Sequence, residues 1–231
     1  MDEQIVEAVR PIRPIVTRRR LAGGAAAGIV GMLAWVGGLA MMPTDAQLSD
    51  GDAAIAAMIA TSGSRLLVAV QLGAVGAVLL LVLLVVLAWA VPTDAPGGLA
   101  LRVGLAAGVL TQAVVGTAAW SAAVGAYLAG AGGGAPLVAA AWAGLFVGFA
   151  VSAVPTVAMT AGVALGAHRA RLAPPWVTAL GLVSAVAHVL AATAFARVGP
   201  FALDGIVGLV APLITAVWIT AQSAVLLRGV S

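Results

Sequence analysis

Six long apolar stretches divide this sequence, and each is long enough to cross a lipid bilayer as a helix. A spanning helix needs about 20 predominantly apolar residues, because the hydrocarbon core is about 30 Å thick and an α-helix rises about 1.5 Å per residue. The pattern predicts an all-α polytopic membrane protein with one Ala/Gly-rich six-helix bundle over residues 21–228. The predicted spans cover roughly residues 21–42, 66–91, 99–128, 137–166, 176–197 and 203–226.

The chain carries too few charges to cover a surface that faces water. Of its 231 residues, 63% are hydrophobic and only 8% are charged, whereas a soluble domain is about half apolar and about a quarter charged. Two absent residue types exclude further classes. Without Cys the chain forms no disulfide, thiolate nucleophile or Cys-bound metal site. Without Lys it has no amine for a retinal or pyridoxal Schiff base.

The distribution of the 11 arginines predicts the orientation in the membrane. Cytoplasmic loops carry an excess of basic residues. With the N-terminus in the cytoplasm, nine arginines lie inside, and only Arg65 and Arg197 lie outside. Residues 1–20 then form an Arg-rich cytoplasmic segment, and both termini are cytoplasmic. The net charge of +3 is therefore explained by topology, and we predict no nucleic-acid partner. The nine are Arg10, Arg13, Arg18, Arg19, Arg20, Arg102, Arg169, Arg171 and Arg228.

Residues 43–65 form the one external loop of any size. Within it, Ile55, Met58 and Ile59 have the i, i+3, i+4 spacing of one helix face, and Asp52 fits the N-cap position. Two interpretations follow: a short amphipathic helix on the outer membrane interface, or an ordinary ordered loop. The loop is acidic, with Asp45, Asp50 and Asp52.

Glycine and proline patterns inside the spans bear on helix packing. Small residues four apart let helix backbones approach closely in lipid. With 29 glycines in the chain, contact within the bundle is the default interpretation, and a homo-oligomer or a membrane partner subunit is the alternative. Pro155 and Pro212 each free a backbone carbonyl, which either bends the helix or opens space at mid-membrane. The four GxxxG motifs are Gly24/Gly28, Gly104/Gly108, Gly144/Gly148 and Gly162/Gly166.

The polar residues near the outer ends of the spans define a candidate site. An ionisable side chain inside a membrane is a functional hypothesis by default, and His188 lies near the centre of span five, one turn after Ser184. Arg197 and Asp204 flank the next turn, which predicts an ion pair. We predict an outer-half ligand-binding pocket that consists of Gln71, Trp120, Ser121, His188, Arg197 and Asp204.

A simpler interpretation of these residues stays open. Trp120 and Tyr127 are also typical of an interfacial aromatic belt. His188 then satisfies a neighbouring backbone carbonyl and has no ligand.

A second polar stripe recurs every four residues on span four. We expect its hydroxyls to bond backbone carbonyls that Pro155 leaves free, with a role in lining a solute path as the alternative. Thr111 and Gln112 on span three are two further polar residues at mid-membrane. The stripe comprises Ser152, Thr156 and Thr160.

The sequence predicts no cofactor, no metal site and no catalytic residue. His168 lies at the cytoplasmic edge and His188 beyond mid-membrane, whereas axial haem ligands face one another at one depth. The HExxH, GxSxG and phosphate-loop motifs are absent. Reactive side chains are so few that we favour a non-enzymatic function.

Several short segments match a family pattern in order and spacing. Over residues 20–228, the chain resembles the bacterial six-helix membrane-protein family catalogued as domain of unknown function 4386. The resemblance implies a six-helix bundle and no activity. That family often has an acidic residue early in the second helix, where Gln71 is nearest here. The segments are Arg171-Leu172-Ala173-Pro174-Pro175-Trp176 with Gly181-Leu182-Val183, Arg20-Leu21-Ala22-Gly23, Asp52 to Thr61 before Arg65-Leu66, and Gly98-Leu99-Ala100-Leu101.

The preferred function is a bundle in a bacterial inner membrane that binds lipid or a small apolar molecule, or that serves as an accessory subunit of a membrane assembly. Membrane lipids are the expected partners. Two alternatives remain. One is a compact transporter of a small solute, suggested by Pro155 and Pro212. The other is a membrane enzyme on an isoprenoid-like substrate, with His188 or Asp204 as acid or base.

Overall fold

The computed structural model describes residues 17–196 and 199–229 and is all-helical over these residues. A short 3₁₀ turn at Leu48–Asp50 lies between the first two α-helices. The helices are α1 Arg18–Ala40, α2 Asp52–Ala90, α3 Gly98–Gly130, α4 Ala135–Arg169, α5 Pro175–Ala191 and α6 Ile206–Arg228.

Five of these helices are long and apolar enough to cross a membrane. They are α1 to α4 and α6. The all-α fold class is therefore confirmed, and five helices could span a membrane. The remaining helix, α5, has 17 residues, and at about 1.5 Å per residue it is about 25 Å long. That is slightly shorter than a hydrocarbon core of about 30 Å.

Helix α2 begins at Asp52 and not near residue 66. The segment that sequence reasoning assigned to a loop or a separate short helix is the first part of α2. Ile55, Met58 and Ile59 form its buried face, as their spacing predicts. The N-cap is Gly51, with φ of 89°, and Asp52 is the first helical residue. Hydropathy does not predict this start, because it measures how well a segment suits lipid. Polar residues can still continue a helix when that helix packs on a neighbour.

Helix α5 ends at Ala191, six residues before the end of the predicted span at 197. The Thr193 hydroxyl donates a hydrogen bond to the carbonyl of Leu190 at 2.7 Å, and the chain continues as tight turns. Such side-chain bonds to the backbone compete with helix continuation. The final residue of the predicted span, Arg197, lies outside the described residues.

The helices pack side by side in chain order, and the ring closes through contacts between α1 and α6. Helix α2 also packs on α4. The starts of α1, α3 and α5 therefore share one end of the bundle with the ends of α2, α4 and α6. We call this the arginine-rich end, because it carries Arg18, Arg19, Arg20, Arg102, Arg169, Arg171 and Arg228. The opposite, acidic end carries Asp45, Asp50, Asp52 and Asp204.

Two large cores fill the bundle, one toward each end, and a small third cluster consists of Ala153, Ala191 and Ala211. The core toward the arginine-rich end is built on Leu83, Leu87 and Trp218. The core toward the acidic end is built on Ile59 and Trp142, with neighbours from α2, α3 and α4. The cavity described below lies between these cores.

Glycines bring the helix backbones into direct contact. A Cβ at Gly104 on α3 would lie 2.7 Å from Cγ2 of Val163 and 2.9 Å from its backbone nitrogen, closer than side chains pack. Each glycine of the four GxxxG motifs has atoms of another helix within this range. In lipid, such close approach gives dispersion contacts between helices.

Substitution of Gly104 by Ala is expected to destabilise the bundle by about 1–3 kcal/mol, because the added methyl meets the α4 backbone. Gly116, on the same helix, has no atom within 4 Å of the corresponding position. Gly116→Ala is the matched control and is expected to be neutral or stabilising, since alanine favours helices. Thermal unfolding in detergent measures both. Equal melting temperatures for the two variants would contradict the close packing.

Candidate functional site

A cavity of about 430 Å³ lies inside the bundle, between the two cores and toward the acidic end. All six helices contribute to its lining. Its size falls within the range of small-molecule sites, about 300–1,000 Å³.

The walls of the cavity are mainly aromatic and aliphatic. Trp142 and Phe146 on α4 form an edge-to-face pair, with ring centroids 5.3 Å apart and an interplanar angle of 81°. Trp35 lies on the α1 side, and Phe149 lies one turn beyond Phe146. Rings held in this way form a rigid apolar surface for a ligand. The aliphatic and thioether lining includes Met32, Leu39, Met42, Leu80, Met159 and Ile219.

The space is open because small residues and a proline face it on α6. Gly205, Gly208 and Pro212 all line the cavity. Pro212 lacks an amide hydrogen, so the carbonyl of Gly208, four residues earlier, loses its helical partner. A Cβ at Gly208 would meet only the Leu203 carbonyl oxygen, at 3.5 Å, so this wall has room for a larger side chain.

Hydroxyl groups line the deeper part of the cavity, but their protons bond the backbone. Ser152 donates to the Phe149 carbonyl at 2.8 Å, and Thr156 donates to the Ser152 carbonyl at 2.7 Å. Thr111 donates to the Ala107 carbonyl at 3.0 Å, and its oxygen is 3.3 Å from that of Thr156.

The polar stripe predicted on span four is only partly in the cavity. Thr160 is fully buried away from it and donates to the Thr156 carbonyl. The stripe's hydroxyls bond backbone carbonyls, namely those of Phe149, Ser152, Thr156 and Val157. The expectation that they bond a carbonyl freed by the proline is wrong, because Pro155 frees the carbonyl of Val151 and none of them bonds it.

His188 lines the cavity and is 6% exposed. Its Nδ1 lies 2.9 Å from the carbonyl oxygen of Ser184. A carbonyl only accepts, so Nδ1 carries the proton and Nε2 of the neutral ring is an acceptor. The Ser184 hydroxyl lies 2.6 Å from that of Thr215, which fixes the adjacent turn of α5 against α6.

Asp204 joins two loops at the acidic end of the cavity, which we call the mouth. Its Oδ2 accepts a hydrogen bond from the backbone N–H of Leu48 at 2.8 Å. This bond connects the segment after α1 to the turn before α6. Both segments line the cavity, through Pro43 and Gln47 on one side and Leu203 on the other. The bond therefore holds the mouth in its observed shape.

The structure brings together only part of the predicted outer-half pocket. His188 and Asp204 line one cavity, whereas Gln71, Trp120 and Ser121 do not line it. Arg197 lies outside the described residues, and so does its predicted pairing with Asp204.

Three of the predicted residues have other surroundings. Gln71 is exposed on α2, and Trp120 is 73% exposed on α3. Tyr127, nearby in sequence, is 74% exposed, which suits side chains at a lipid–water interface. The Ser121 hydroxyl donates to the Ala141 carbonyl at 2.7 Å and so ties α3 to α4.

The aromatic wall of the cavity was not predicted from the sequence. Trp35, Trp142, Phe146 and Phe149 read as ordinary apolar residues within spans. The spacing of Trp142, Phe146 and Phe149 at i, i+4 and i+7 was the available signal, because it places three rings on one helix face.

Within the described residues, no group of three or more His, Cys, Asp or Glu side chains could hold a metal ion. Comparison with protein-family models, with curated proteins and with solved structures gives no match. The resemblance to the six-helix bacterial family therefore stays a prediction.

Asp204→Ala is expected to loosen the mouth, because it removes the acceptor of the Leu48 N–H. Hydrogen bonds to charged groups contribute about 1.5–3 kcal/mol, so amide exchange at residues 42–50 should accelerate about tenfold to a hundredfold. Hydrogen-exchange mass spectrometry measures this. Asp45→Ala is the matched control, since its ion pair with Arg65 spans 4.0 Å between exposed side chains and contributes little. Equal protection in wild type and Asp204→Ala would show that the bond does not hold the mouth.

Proposed function

We propose that the protein is a membrane bundle whose cavity binds a lipid chain or another small apolar molecule. The observation that carries this proposal is the aromatic and aliphatic wall of the cavity, formed by Trp35, Trp142 and Phe149 with methionine and leucine side chains. Such walls, with a few convergent polar groups, are typical of small-molecule sites.

The polar groups of the cavity favour a ligand that is mostly apolar. The hydroxyls of Thr111, Ser152 and Thr156 bond backbone carbonyls and so need no ligand to satisfy them. A strongly polar solute would lose its hydration in the deep part of the cavity and find few free partners there. An apolar chain loses nothing by binding against these groups.

Two of the other functions predicted from the sequence, a transporter and an isoprenoid-type enzyme, would use the same cavity. An accessory subunit of a membrane assembly would not need it. Catalysis has one specific observation in its favour, namely that His188 and Asp204 line the cavity together. Binding comes first because both transport and catalysis require it.

Wild-type protein in phosphatidylcholine nanodiscs is expected to bind a dodecanol probe that carries a photoreactive diazirine, with saturable labelling of cavity-lining peptides in α4 and α6. Gly208→Trp should abolish the saturable labelling, because the indole fills the cavity from a wall that has room for it. Gly116→Trp, on an exposed face with no atom within 4 Å of its Cβ position, should leave labelling unchanged.

Peptide mass spectrometry with and without excess unlabelled dodecanol measures the effect. Gly208→Leu provides a smaller substitution in case the Trp variant does not fold, and both are checked by thermal unfolding. Non-saturable labelling of the wild type, confined to lipid-facing residues, would overturn the proposal.

We further propose that the arginine-rich end faces the cytoplasm of a bacterial inner membrane. The support is the charge distribution, since Arg18, Arg102, Arg169 and Arg228 belong to that end and basic residues are retained on the cytoplasmic side.

A fluorescent protein fused after residue 231 is expected to fluoresce in a bacterial host, and alkaline phosphatase fused at the same point is expected to be inactive. The reason is that the first reporter matures in the cytoplasm and the second only outside it. Phosphatase inserted after Ala46 in the loop at the acidic end should be active. The reverse pattern would show the opposite orientation.

A further inference from the structure

We infer that the cavity selects a cationic amphiphile, an alkylammonium-like molecule whose head group lies at the mouth beside Asp204 and whose apolar chain fills the interior. This inference rests on the proposed binding function and adds the chemical class of the ligand. Its basis is the carboxylate of Asp204 at the mouth of a cavity whose lining, among the described residues, contains no Lys or Arg.

Four hydroxyl groups in the lining offer lone pairs and not protons. Thr111, Ser152 and Thr156 each donate to a backbone carbonyl. Thr215 donates to the Ala211 carbonyl at 3.2 Å, and Ser184 then supplies the proton of the bond between their oxygens. A hydroxyl has a single proton, so these groups face the cavity as acceptors.

Two further groups add to the acceptors. The proton on Nδ1 of His188 is held by the Ser184 carbonyl, which leaves Nε2 as an acceptor. The carbonyl of Gly208 has lost its helical donor to Pro212, and both residues line the cavity. These groups add acceptors to the lining and no positive charge, whereas the indole N–H groups of Trp35 and Trp142 are donors in the same lining.

Formal charge points in the same direction. Among the described residues that line the cavity, Asp204 is the one acidic side chain, and no Lys or Arg is present. Oδ2 of Asp204 accepts from Leu48, and a carboxylate has further lone pairs for a second donor. A carboxylate with a free acceptor position attracts a cation.

Two tryptophan rings, Trp35 and Trp142, line the same cavity. The faces of indole rings attract ammonium groups, most strongly where water is excluded, so these rings favour a cation over an anion in the cavity.

One feature acts against a cation at the mouth. Helix α6 begins at Ile206, and a helix N-terminus carries about half a positive charge. The full negative charge of Asp204 directly precedes the N-cap Gly205 and exceeds that partial charge. Gln112 and Thr44 also line the cavity and carry both donors and acceptors, so they do not discriminate between head groups.

The dimensions suit an amphiphile held along the bundle axis. The stretch of α6 that lines the cavity runs from Gly205 at the mouth to Ile219, which is about 20 Å of helix. The deep end is closed by Met159, Ile219 and Leu80. A head group at the mouth keeps its charge near water, where it costs least.

The test uses three ligands with the same twelve-carbon chain, namely dodecylamine, dodecanol and dodecanoate, at pH 7. Each competes with the diazirine probe on wild-type protein in phosphatidylcholine nanodiscs, and competition at Gly208→Trp is subtracted as partition into the bilayer. Dodecylamine, which is protonated at this pH, is expected to bind about tenfold more tightly than dodecanoate, with dodecanol between them.

Asp204→Asn removes the negative charge but keeps the hydrogen bond at the mouth, because its amide oxygen still accepts from the Leu48 N–H. This variant should lose the preference for dodecylamine over dodecanoate. Arg197→Gln is made in parallel, since Arg197 lies outside the described residues and carries the opposite charge. The preference for dodecylamine should persist in it.

The outcomes separate this inference from the function on which it rests. If none of the three ligands competes, both the binding function and the inference fail. If all three compete equally, or dodecanoate binds most tightly, the binding function stands and the cationic ligand is refuted. An unchanged preference in Asp204→Asn would also refute it, since the carboxylate would then not select the head group.

Discussion

A polar group in hydrocarbon must find its hydrogen-bond partner within the protein, and most of this molecule follows from that requirement. It explains why the described residues are almost entirely helical, since a helix satisfies its own backbone. It also explains why the threonine and serine hydroxyls of the interior turn back to carbonyls one turn earlier, as Thr156 does toward Ser152. The chemical character of the cavity follows from these bonds, because a hydroxyl that donates its proton to a backbone carbonyl presents only lone pairs to the cavity.

Small residues produce both the close contacts between helices and the open space of the cavity. Where two glycine-bearing faces meet, as at Gly104 on α3 and Gly162 on α4, the backbones touch and the helices are fixed in position. Where small residues of several helices face a common centre, as at Gly208 and Ala77, the side chains are too short to meet and a cavity remains. Large side chains then gather in two cores on either side of it. An Ala/Gly-rich composition therefore produces a rigid scaffold and a void together.

The existence of the long helices could be predicted from sequence, because hydropathy and helix length respond to the same bilayer thickness. Two boundaries could not. Residues 61–65 are polar, but they continue α2 because Ile59 and Leu66 on either side are buried against other helices. The end of α5 depends on a local bond from Thr193 to Leu190, and no periodicity reveals such a bond.

The site was predictable only in part, and the difference has a physical cause. His188 and Asp204 stood out because charge and imidazole are rare in a span, and rarity can be read from one sequence. Trp142 and Trp120 are both tryptophans in helices, yet one is buried at the cavity and the other faces outward. Which of them forms a site depends on helix rotation, and the packing partners set that rotation. Polar residues are rare in spans, so each of them is a candidate for a site. Tertiary contacts decide which candidates share a pocket.

Helices of unequal length make the acidic end stepped. The six helices begin or end near one another at the arginine-rich end, so that α2, with 39 residues, extends about 24 Å farther than α1, with 23. Helices α2, α3 and α4 form a tall side, and α1, α5 and α6 form a low side beside the mouth. If the cavity binds a lipid chain as proposed, a ligand dissolved in the bilayer would reach the mouth from the low side by lateral diffusion along the membrane plane. Its relevant concentration would then be its mole fraction in the lipid, so that affinity for this cavity would be expressed per mole of lipid.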